Sequence, residues 1–365
     1  MIKILHGADF HLDSPFDALP EQKAMRRRQE QRELLDKIAT LAQQEQVDAV
    51  LLSGDLLDSD KSYYETGEAL LRAFGQIKAP IFIAPGNHDY YHSASPWAAF
   101  KLPAHVHLFR TAAPEGVALA DGKAVVWGAA FTDNRSEALL AEFQGVVDKR
   151  KINLMTLHGQ VGGAEGMYNP ITTEQIANSG LDYLALGHEH RYSGLQKAGD
   201  TYYAYSGCAL GRGFDEEGPR GVIIAEIDKG RVSQRFVPLG GRQYVTLAVD
   251  LTDKPDPVAA VVAALPPGTE QDIYRIAFTG EFGDELDTGA VRDGLADKFF
   301  HLVVQDETSI RRDIWAKAEE DTLRGLFLRK MRVKYDAGDA AEKEQVRWAI
   351  RYALAAMEHG EQWRI

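Results

Sequence analysis

One recurring unit constrains the fold of this 365-residue sequence more than any other feature: a short apolar run that ends directly in a polar cluster. The unit occurs at residues 2–6, 49–53, 81–84, 154–157 and 183–186. Amphipathic stretches at 21–46 and 63–77 separate the first three runs. Apolar runs that alternate with helices are typical of strands in a sheet with two buried faces. The sequence therefore predicts a layered α/β fold.

Later apolar runs, at 201–205, 222–227 and 232–237, are separated by turns and not by helices. Short turns can join antiparallel strands, whereas parallel strands need longer crossovers. We therefore expect a second, more antiparallel part of the sheet system here. The two patterns together predict a four-layer α/β/β/α sandwich.

The alternating pattern of strands and helices ends near residue 240, so we predict a first domain over 1–240. Residues 241–310 contain two strand-like runs, a Pro-rich stretch and a short helix, which indicates a small α+β domain. Residues 311–365 are helical in pattern except for a turn near 336–339. They predict a helical tail that could form a docking hairpin.

Five polar blocks carry the candidate chemistry, and each closely follows one of the predicted strands. They are Asp9-Phe10-His11, Gly54-Asp55, Gly86-Asn87-His88-Asp89, His158-Gly159 and Gly187-His188-Glu189-His190. In an open α/β sheet the carboxyl ends of the strands point to one edge, where ligands bind. Five segments remote in sequence are therefore expected to converge on one small volume.

The side chains in these blocks suit a site with two metal ions. A mixture of carboxylate, imidazole and amide donors favours Mn²⁺, Fe²⁺ or Zn²⁺, whereas an all-oxygen set favours Mg²⁺ or Ca²⁺. Residues at i and i+2 of a strand point to the same side, so Asp9 and His11 can hold one metal together. His188 and His190 have the same spacing. Two ions ~3.5–4 Å apart need a shared ligand, and the Asp55 carboxylate is the natural bridge.

Each block taken alone also has an ordinary structural interpretation. A single His-x-His is usually a surface feature, and Gly-Asp is more often a turn than a ligand pair. Gly-Asn-His-Asp could equally be a loop with good turn chemistry. For that interpretation to hold, the coincidence would have to recur at five strand ends in the same direction. We therefore favour the metal site.

In these five blocks the chain resembles the calcineurin-like metallophosphoesterase superfamily, whose signature runs D-x-H, G-D, G-N-H-D/E, H and G-H-x-H. All five elements are present in this order. The resemblance implies phosphodiester hydrolysis with two divalent ions, for which Mn²⁺ is our prediction and Fe²⁺, Zn²⁺ and Mg²⁺ are the alternatives. It implies that the first ion is held by Asp9, His11, Asp55 and His190. It implies that the second ion is held by Asp55, Asn87, His158 and His188.

Other parts of the chain resemble bacterial DNA-repair exonucleases of the SbcD and YhaO type. The similar segments are the start at 6–16, the loop at 205–215 and the ending from 322. The resemblance spans nearly the whole chain and implies a nuclease domain, a small capping domain and DNA as the substrate. It also implies that the helical tail docks on a coiled-coil ATPase of the SbcC or YhaN kind. A homodimer is left open.

Three residues near the predicted ligands have candidate roles of their own. The resemblance makes His88 the catalytic histidine, which binds no metal and protonates the leaving oxygen or stabilises charge on the phosphate. Asp89 could orient His88 or stabilise its turn. Arg212 could contact a substrate phosphate, although an exposed surface arginine is the favoured interpretation.

The block around the bridging aspartate departs from the common pattern. SbcD-type nucleases usually have G-D-L-F-H here, whereas this chain has Gly54-Asp55-Leu56-Leu57-Asp58, like the YhaO variant. A carboxylate beside the metals would repel the substrate backbone unless it has another partner, and it donates no proton at neutral pH without a strongly raised pKa. We predict that Asp58 orients a metal ligand, with N-capping of the next helix as the alternative.

Bulk properties limit the functions further. A net charge of −13 argues against a globally basic nucleic-acid binder but leaves local phosphate binding open. No apolar run approaches the ~18 residues of a membrane span, and the start of the chain does not resemble a signal peptide. The single cysteine, Cys208, excludes an intramolecular disulfide and is expected to be a buried packing residue. These features predict a cytoplasmic protein with no membrane partner.

Two other functions compete with a nuclease. A small-molecule phosphatase or cyclic-nucleotide phosphodiesterase could use the same site, but such enzymes usually need only the sandwich, so the residues after 240 count against them. A scaffold for the ATPase with a degenerate site would not need intact candidate residues, yet all eight are present. We therefore expect an exonuclease or endonuclease subunit that acts in DNA repair or end processing.

Overall fold

The computed structural model describes residues 1–119, 122–146, 148–162, 166–282, 286–309 and 312–359. Two compact units divide the chain, Met1–Gly241 and Arg242–Ile365, and each is treated separately below. The boundary between them lies beside the one predicted after residue 240. The further division at residue 310 stays a prediction, and residues 311 and 360–365 of the predicted tail lie outside the described residues.

The strands and helices are numbered along the chain. The strands are Ile2–Gly7 (β1), Ala49–Leu52 (β2), Ile81–Ile83 (β3), Val106–Leu108 (β4), Glu115–Leu119 (β5), Ala124–Gly128 (β6), Ile152–His158 (β7), Gln160–Val161 (β8), Pro170–Ile171 (β9), Tyr183–Gly187 (β10), Gln196–Ala198 (β11), Thr201–Tyr205 (β12), Gly221–Asp228 (β13), Arg231–Pro238 (β14), Tyr244–Asp250 (β15), Ile273–Thr279 (β16) and His301–Asp306 (β17). The helices are Glu21–Gln44 (α1), Tyr64–Gln76 (α2), Pro96–Ala99 (α3), Thr173–Asn178 (α4), Pro257–Ala264 (α5), Thr288–Gly294 (α6), Arg312–Ala316 (α7), Leu323–Ala337 (α8) and Ala340–His359 (α9). Short 3₁₀ turns lie at Leu139–Glu142 and Lys317–Glu319.

The first sheet of the N-terminal unit has the order β14-β13-β1-β2-β3-β4. Strands β1 to β4 are parallel, in keeping with the helices α1 and α2 that connect the first three of them. The hairpin β13–β14 adds to the other side of β1 in antiparallel orientation. This hairpin is the antiparallel part that the sequence predicts at 222–237.

The second sheet has the order β11-β12-β10-β7-β6-β5. Strands β6, β7, β10 and β12 are parallel, and only the edge strands β5 and β11 run antiparallel. The prediction that 201–205 belongs with 222–237 in one antiparallel part was therefore wrong. Strand β12 pairs in parallel with β10 in the second sheet, while β13 and β14 extend the first. The physical reason is that the connection at 206–220, between β12 and β13, is long enough for the chain to pass from one sheet to the other.

Apolar side chains from the two sheets meet in one core. Ile4 and Leu51 of the first sheet are fully buried in a cluster with Leu154 and Ala185 of the second. Side chains alternate along a strand, so Leu5, the neighbour of Ile4, faces the outer side of the first sheet. Leu5 is also fully buried, which shows that the outer face of this sheet is covered too. Helices α1 and α2 pack against each other. The layered α/β prediction is confirmed, and the layers place the carboxyl ends of the central strands on one side.

The C-terminal unit has its own parallel sheet, β15-β16-β17, and a core with α5 and α6 around Ile276 and Phe278. The sequence indicates the first two strands and misses β17. Helices α7 to α9 enclose a separate cluster around Leu328 and Ile350. In the described part of the chain, no helix is both long and apolar enough to cross a membrane.

Candidate metal centre

The five polar blocks lie at the carboxyl ends of strands from both sheets. The blocks of the N-terminal half follow β1, β2 and β3 of the first sheet, and the later two follow β7 and β10 of the second. Hydrogen bonds join the ends of the two sheets: the His188 backbone N–H donates to Asp9 Oδ1 at 3.0 Å, and His158 Nδ1 donates to Ser53 O at 2.9 Å. The blocks therefore converge at one end of the sandwich, between the two sheets.

The backbone turns sharply at four of the candidate residues. Asp9, His11 and Asp55 have φ values of 54°, 44° and 51°, and His188 has a φ of 105°. Residues other than glycine rarely adopt positive φ, and such strain tends to accumulate at functional sites. The extended i, i+2 geometry assumed from the sequence is therefore not what brings Asp9 and His11 together. Left-handed turns at the strand exits do so instead.

Two glycines in the blocks are required by close packing. Gly54 has a φ of 85°, and a Cβ atom at this position would lie 2.7 Å from His158 Nδ1. A Cβ at Gly86 would collide with the side chain of Asp55. Glycine therefore lets the loops approach closely enough for side chains from separate strands to meet.

One group of candidate ligands surrounds the Nε2 atoms of two histidines. His11 Nε2 and His190 Nε2 are 3.2 Å apart. Each of Asp9, His11 and His190 offers an atom, and these three atoms lie within 4.8 Å of one another. Asp55 Oδ2 is 3.8 Å from His11 Nε2. These four residues are the set that the family resemblance implies for the first ion.

The second group is centred on His158. Its Nε2 lies 3.3 Å from Asp55 Oδ2 and 3.0 Å from Asn87 Oδ1. The His158 and His188 rings meet edge to face with their centres 5.2 Å apart. Asp55 thus has His11 on one side and His158 on the other, as a bridging carboxylate requires. The ligand roles themselves stay a prediction for all seven residues.

Burial keeps two of these histidines neutral. It lowers the pKa of His11 to about 4, because a buried imidazolium loses its hydration. Burial, together with the charge of His158, lowers the pKa of His188 to about 4 as well. Both side chains therefore have a lone pair available for a metal near neutral pH.

Charge attraction dominates at the centre of the site. Burial works against the charged form of His158, but the carboxylates of Asp55 and Asp9 outweigh it and raise the pKa of His158 to about 9. Burial likewise opposes ionisation of Asp55, yet His158, His11 and His88 together hold the Asp55 pKa well below its usual range. A buried position that binds an extra proton so strongly also attracts metal cations.

The donor set fits a pair of divalent ions. It consists of two buried carboxylates, an amide oxygen and four imidazoles, which is the mixture expected for Mn²⁺, Fe²⁺ or Zn²⁺. Asp9 and Asp55 supply two negative charges in a place where water is excluded. These negative charges favour the binding of divalent cations, so the residues present are suited to the cofactor that the sequence predicts.

His88 lies at the open side of the site. Its ring is exposed and meets the His11 ring edge to face at 4.8 Å. His88 Nδ1 is 2.9 Å from the carbonyl oxygen of Asp58, so Nδ1 is the protonated nitrogen that donates, and Nε2 is left for substrate. Its backbone N–H donates to Asp55 Oδ1 at 2.9 Å. This placement is compatible with the predicted role as a proton donor.

Asp58 and Arg212 lie together behind the first group of ligands. Asp58 Oδ1 is 3.1 Å from His11 Nδ1, and Arg212 Nη1 donates to the same oxygen at 3.1 Å. The capping alternative for Asp58 is wrong, because the N-cap of α2 is Tyr63. Arg212 is not the exposed arginine favoured by the sequence, since only 21% of its side chain is exposed. Contact between Arg212 and a substrate phosphate stays a prediction.

Asp89 connects the loop at 54–57 to its own loop at 86–89 through hydrogen bonds. Its carboxylate accepts hydrogen bonds from the backbone N–H groups of Asp55 at 3.1 Å, Leu56 at 2.9 Å and Gly86 at 2.7 Å. The turn-stabilising alternative agrees with these contacts. Asp89 thereby fixes the loops that present Asp55 and His88.

Two nearby residues are absent from the sequence prediction. Glu216 is 4% exposed, and its Oε1 accepts from His190 Nδ1 at 2.7 Å. Tyr168 places its ring 5.4 Å from that of His188. Glu216 follows directly after the loop at 205–215 that resembles the nucleases, and its i, i+4 spacing from Arg212 was an available clue. Nothing local in the sequence indicates Tyr168.

A cleft of about 720 Å³ opens beside His190. Its lining includes Glu189, Tyr192, Arg220 and Phe236, and the Tyr192 and Phe236 rings stack with centres 4.8 Å apart. The cleft gives a ligand room on this side of the candidate metal centre.

Comparison with known proteins identifies a matching family and several relatives. The family model of calcineurin-like phosphoesterases matches residues 2–192, more than half of the chain. The metallophosphoesterase YhaO of Bacillus subtilis is 29% identical over 267 residues, which cover 69% of this chain and 64% of YhaO. The SbcD component of the nuclease SbcCD of the same organism is 26% identical over 63% of this chain and 67% of SbcD.

A third relative is the DNA double-strand break repair protein Mre11 of Methanosarcina mazei. It is 26% identical over 70% of this chain but only 41% of its own length. The chain thus spans about two thirds or less of the length of these curated relatives. The matched region of the family model includes all seven candidate ligands and His88.

Proposed function

We propose that this chain, which belongs to the calcineurin-like phosphoesterase family, hydrolyses the phosphodiester bonds of DNA with the help of two divalent metal ions. The observation that carries the proposal is the meeting of donor atoms from five remote blocks. His11 Nε2 lies 3.2 Å from His190 Nε2, and His158 Nε2 lies 3.3 Å from Asp55 Oδ2. The packing of a fold alone would not require buried histidines and carboxylates to face one another in this way.

In this proposal each part of the site has a role. The first ion would be held by Asp9, His11, Asp55 and His190. The second ion would be held by Asp55, Asn87, His158 and His188. When bound, two such cations would supply Lewis acidity toward the phosphoryl oxygens and would lower the pKa of a water that serves as the nucleophile. Mn²⁺ is the ion that we propose.

His88 is the proposed general acid. Its Nδ1–H donates to the Asp58 carbonyl oxygen at 2.9 Å, which fixes the exposed ring and leaves Nε2 for the substrate. Once protonated, Nε2 can transfer a proton to the oxygen that leaves when the P–O bond breaks. Asp55 Oδ1 holds the backbone of His88 in place through a 2.9 Å hydrogen bond.

The relatives support DNA as the substrate. One is named as part of a nuclease, and another as a DNA double-strand break repair protein. In addition, the chain continues for a second compact unit beyond the phosphoesterase domain. A small-molecule phosphatase or cyclic-nucleotide phosphodiesterase is the alternative, since the two-metal site by itself does not discriminate between phosphodiesters.

We further propose a coiled-coil ATPase of the SbcC or YhaN kind as a partner. The relative SbcD is one component of SbcCD, a nuclease of more than one subunit. In the C-terminal unit, α8 exposes Leu323, Leu326 and Val333 to solvent while Leu328 is buried. An exposed apolar face on a helix is what a partner helix can cover.

The decisive experiment compares three substrates: labelled linear duplex DNA, circular single-stranded DNA and a chromogenic diester. Each is incubated with Mn²⁺ and, separately, with chelator. We expect Mn²⁺-dependent cleavage of linear DNA and of the diester, and none in chelator. Cleavage of the circle reveals endonuclease activity.

Two outcomes would contradict parts of this proposal. Full activity of protein dialysed against EDTA would refute the two-metal site. Cleavage of the diester without cleavage of either DNA would favour the small-molecule alternative.

A further inference from the structure

Three charged side chains form a continuous chain behind the candidate first-ion site: Glu216, Arg212 and Asp58. Arg212 Nη2 donates to Glu216 Oε1 at 3.0 Å, and Nη1 donates to Asp58 Oδ1 at 3.1 Å. The side chains of Arg212 and Asp58 are only 21% and 22% exposed, and that of Glu216 is 4% exposed. Arg212 and Asp58 lie 154 positions apart in sequence.

Each end of this chain reaches a predicted ligand of the first ion. Glu216 Oε1 accepts from His190 Nδ1 at 2.7 Å, and Asp58 Oδ1 lies 3.1 Å from His11 Nδ1. The Nε2 atoms of the same two histidines face each other at 3.2 Å. Each imidazole therefore has a carboxylate at its outer nitrogen and the candidate metal position at its inner nitrogen.

The second-ion site is built differently. The outer nitrogen of His158 donates to the backbone carbonyl of Ser53 at 2.9 Å. That carbonyl belongs to the end of a strand and is fixed by the fold itself. The carboxylates of Asp58 and Glu216, in contrast, sit on loops and depend on side-chain contacts for their orientation. Asp58 is also held by Ser14 Oγ at 3.0 Å, and Glu216 Oε2 by the backbone N–H of Arg212 at 2.7 Å.

We infer that Arg212 is a positioning residue, which holds Asp58 and Glu216 against His11 and His190 and so sets the affinity of the first-ion site alone. The planar guanidinium is suited to this task because its N–H groups point in fixed directions and can serve two carboxylates at once. It also compensates two negative charges that would otherwise repel each other in a poorly hydrated place. The inference rests on the proposed function, because it presupposes that metal ions bind here.

The test measures Mn²⁺ affinity by isothermal titration calorimetry in two backgrounds that each keep one site. His158→Ala removes a ligand of the second ion, and His11→Ala removes a ligand of the first. Adding Arg212→Met to the His158→Ala protein is expected to weaken Mn²⁺ binding by ~10–100-fold, the usual effect of losing a partner of a ligand histidine. Adding it to the His11→Ala protein is expected to leave the affinity unchanged.

A double-mutant cycle tests whether Arg212 acts through Glu216. If it does, Arg212→Met and Glu216→Gln together, in the His158→Ala background, weaken binding by no more than the larger single effect. Arg191→Met is the matched control, because Arg191 is an exposed arginine next to His190 in sequence. The Mn²⁺ affinity of the His158→Ala protein is expected to stay the same when Arg191→Met is added. Thermal melting of each metal-free protein verifies that it is folded.

The outcomes separate this inference from the proposed function. If the unmodified protein binds no Mn²⁺, the proposed function fails. If it binds Mn²⁺ but Arg212→Met weakens both sites equally or neither site, the positioning role is refuted. If Arg212→Met does not fold, Arg212→Lys replaces it, because lysine keeps the positive charge but lacks the planar guanidinium. Arg212→Lys must then still weaken Mn²⁺ binding at the first site and not at the second.

Discussion

At the scale of single residues, three of the candidate histidines differ from ordinary surface histidines because one ring nitrogen of each is hydrogen-bonded to the protein. One nitrogen of each of three rings meets a protein oxygen: His158 at Ser53 O, His190 at Glu216 and His88 at Asp58 O. A ring fixed in this way presents its second nitrogen in one direction and one protonation form. For His158 and His190 that direction leads into the candidate metal centre, whereas the ring of His88 is exposed.

Removal of the His88 ring is predicted to separate metal binding from catalysis. His88→Ala should still bind two Mn²⁺ ions, because His88 is not counted among the ligands, but kcat on the chromogenic diester should fall by ~10²–10⁴-fold with the loss of the general acid. Metal titration checks that both ions still bind, and steady-state kinetics measures the fall in kcat. His107→Ala, an exposed histidine paired with Glu115, is the control and should behave like the wild type. Full activity of His88→Ala would overturn the assignment.

A buried histidine next to the first block predicts a pH dependence of stability. His6 is fully buried, with its ring nitrogens 3.1 Å from the Tyr183 hydroxyl and 3.1 Å from Leu186 O. Burial lowers the pKa of His6 from 6.5 to about 4. Between these values the unfolded chain binds a proton that the folded protein does not, so the free energy of unfolding decreases as the pH falls from about 6.5 to about 4. The His6 contribution to this loss is roughly 3 kcal/mol.

The comparison of wild type with His6→Gln isolates this contribution. Glutamine is expected to stay neutral throughout, so the variant should lose less stability over the same pH range. Chemical denaturation of metal-free protein at several pH values measures the difference. Equal losses in the two proteins would show that His6 does not cause the pH dependence.

At the scale of elements, the apolar side chains of the C-terminal helices fall into two groups, one buried and one exposed. Val346, Ile350 and Leu354 of α9 are buried in the cluster of their own unit with Leu328. Leu323 and Leu326 of α8 are 72% and 46% exposed. The first group therefore packs on the chain's own core, whereas the second group is accessible to a partner. Deleting 338–365 would remove half of this small core, so point substitutions are the sharper test.

Leu326→Glu is predicted to abolish binding to an ATPase of the SbcC or YhaN kind from the same organism, because a charge would replace the apolar contact. Hydrolysis of the small diester and the melting temperature should stay unchanged. Ile350→Glu is the matched interior variant, and it should lower the free energy of unfolding by at least ~2 kcal/mol because it buries a charge. Co-purification of the two recombinant proteins reads out binding. Wild-type binding by Leu326→Glu would exclude this face as the docking surface.

At the scale of the whole molecule, the candidate metal centre couples the two sheets of the N-terminal unit. Its residues come from the ends of β1, β2, β3, β7 and β10, which belong to different sheets. An ion bound between them therefore stabilises only the folded arrangement. Mn²⁺ at a hundred times its Kd should contribute ~2.7 kcal/mol per site, which raises Tm by ~5–10 °C for a unit of this size.

Calorimetry with and without Mn²⁺ measures this rise in Tm. His88→Ala should keep the full rise, and His11→Ala should keep only the part that belongs to the second ion. An equal rise in wild type and in a variant that lacks both His11 and His158 would place the stabilising Mn²⁺ elsewhere on the protein.

Local sequence pattern was sufficient to predict the layered α/β class, the strands β1, β2, β3, β7 and β10, and the polar blocks at their ends. Short apolar runs must be buried, and the blocks are adjacent to those runs, so both follow from local pattern. The α/β pattern at 1–240 and the helices after residue 311 agree with the structure for the same reason. The candidate ligands were recognisable because their residue types and short spacings match what metals require.

Tertiary packing alone decided which sheet each later strand joins. It also decided which charged side chains contact the candidate ligand histidines. Strand β12 lies beside β10 while β13 lies beside β1, and a connection as long as 206–220 permits either arrangement. The contact of Arg212 with Asp58 joins two separate loops, and no periodicity links positions 154 residues apart. Long-range pairing of this kind depends on where the whole core places the loops. A local pattern carries no record of it.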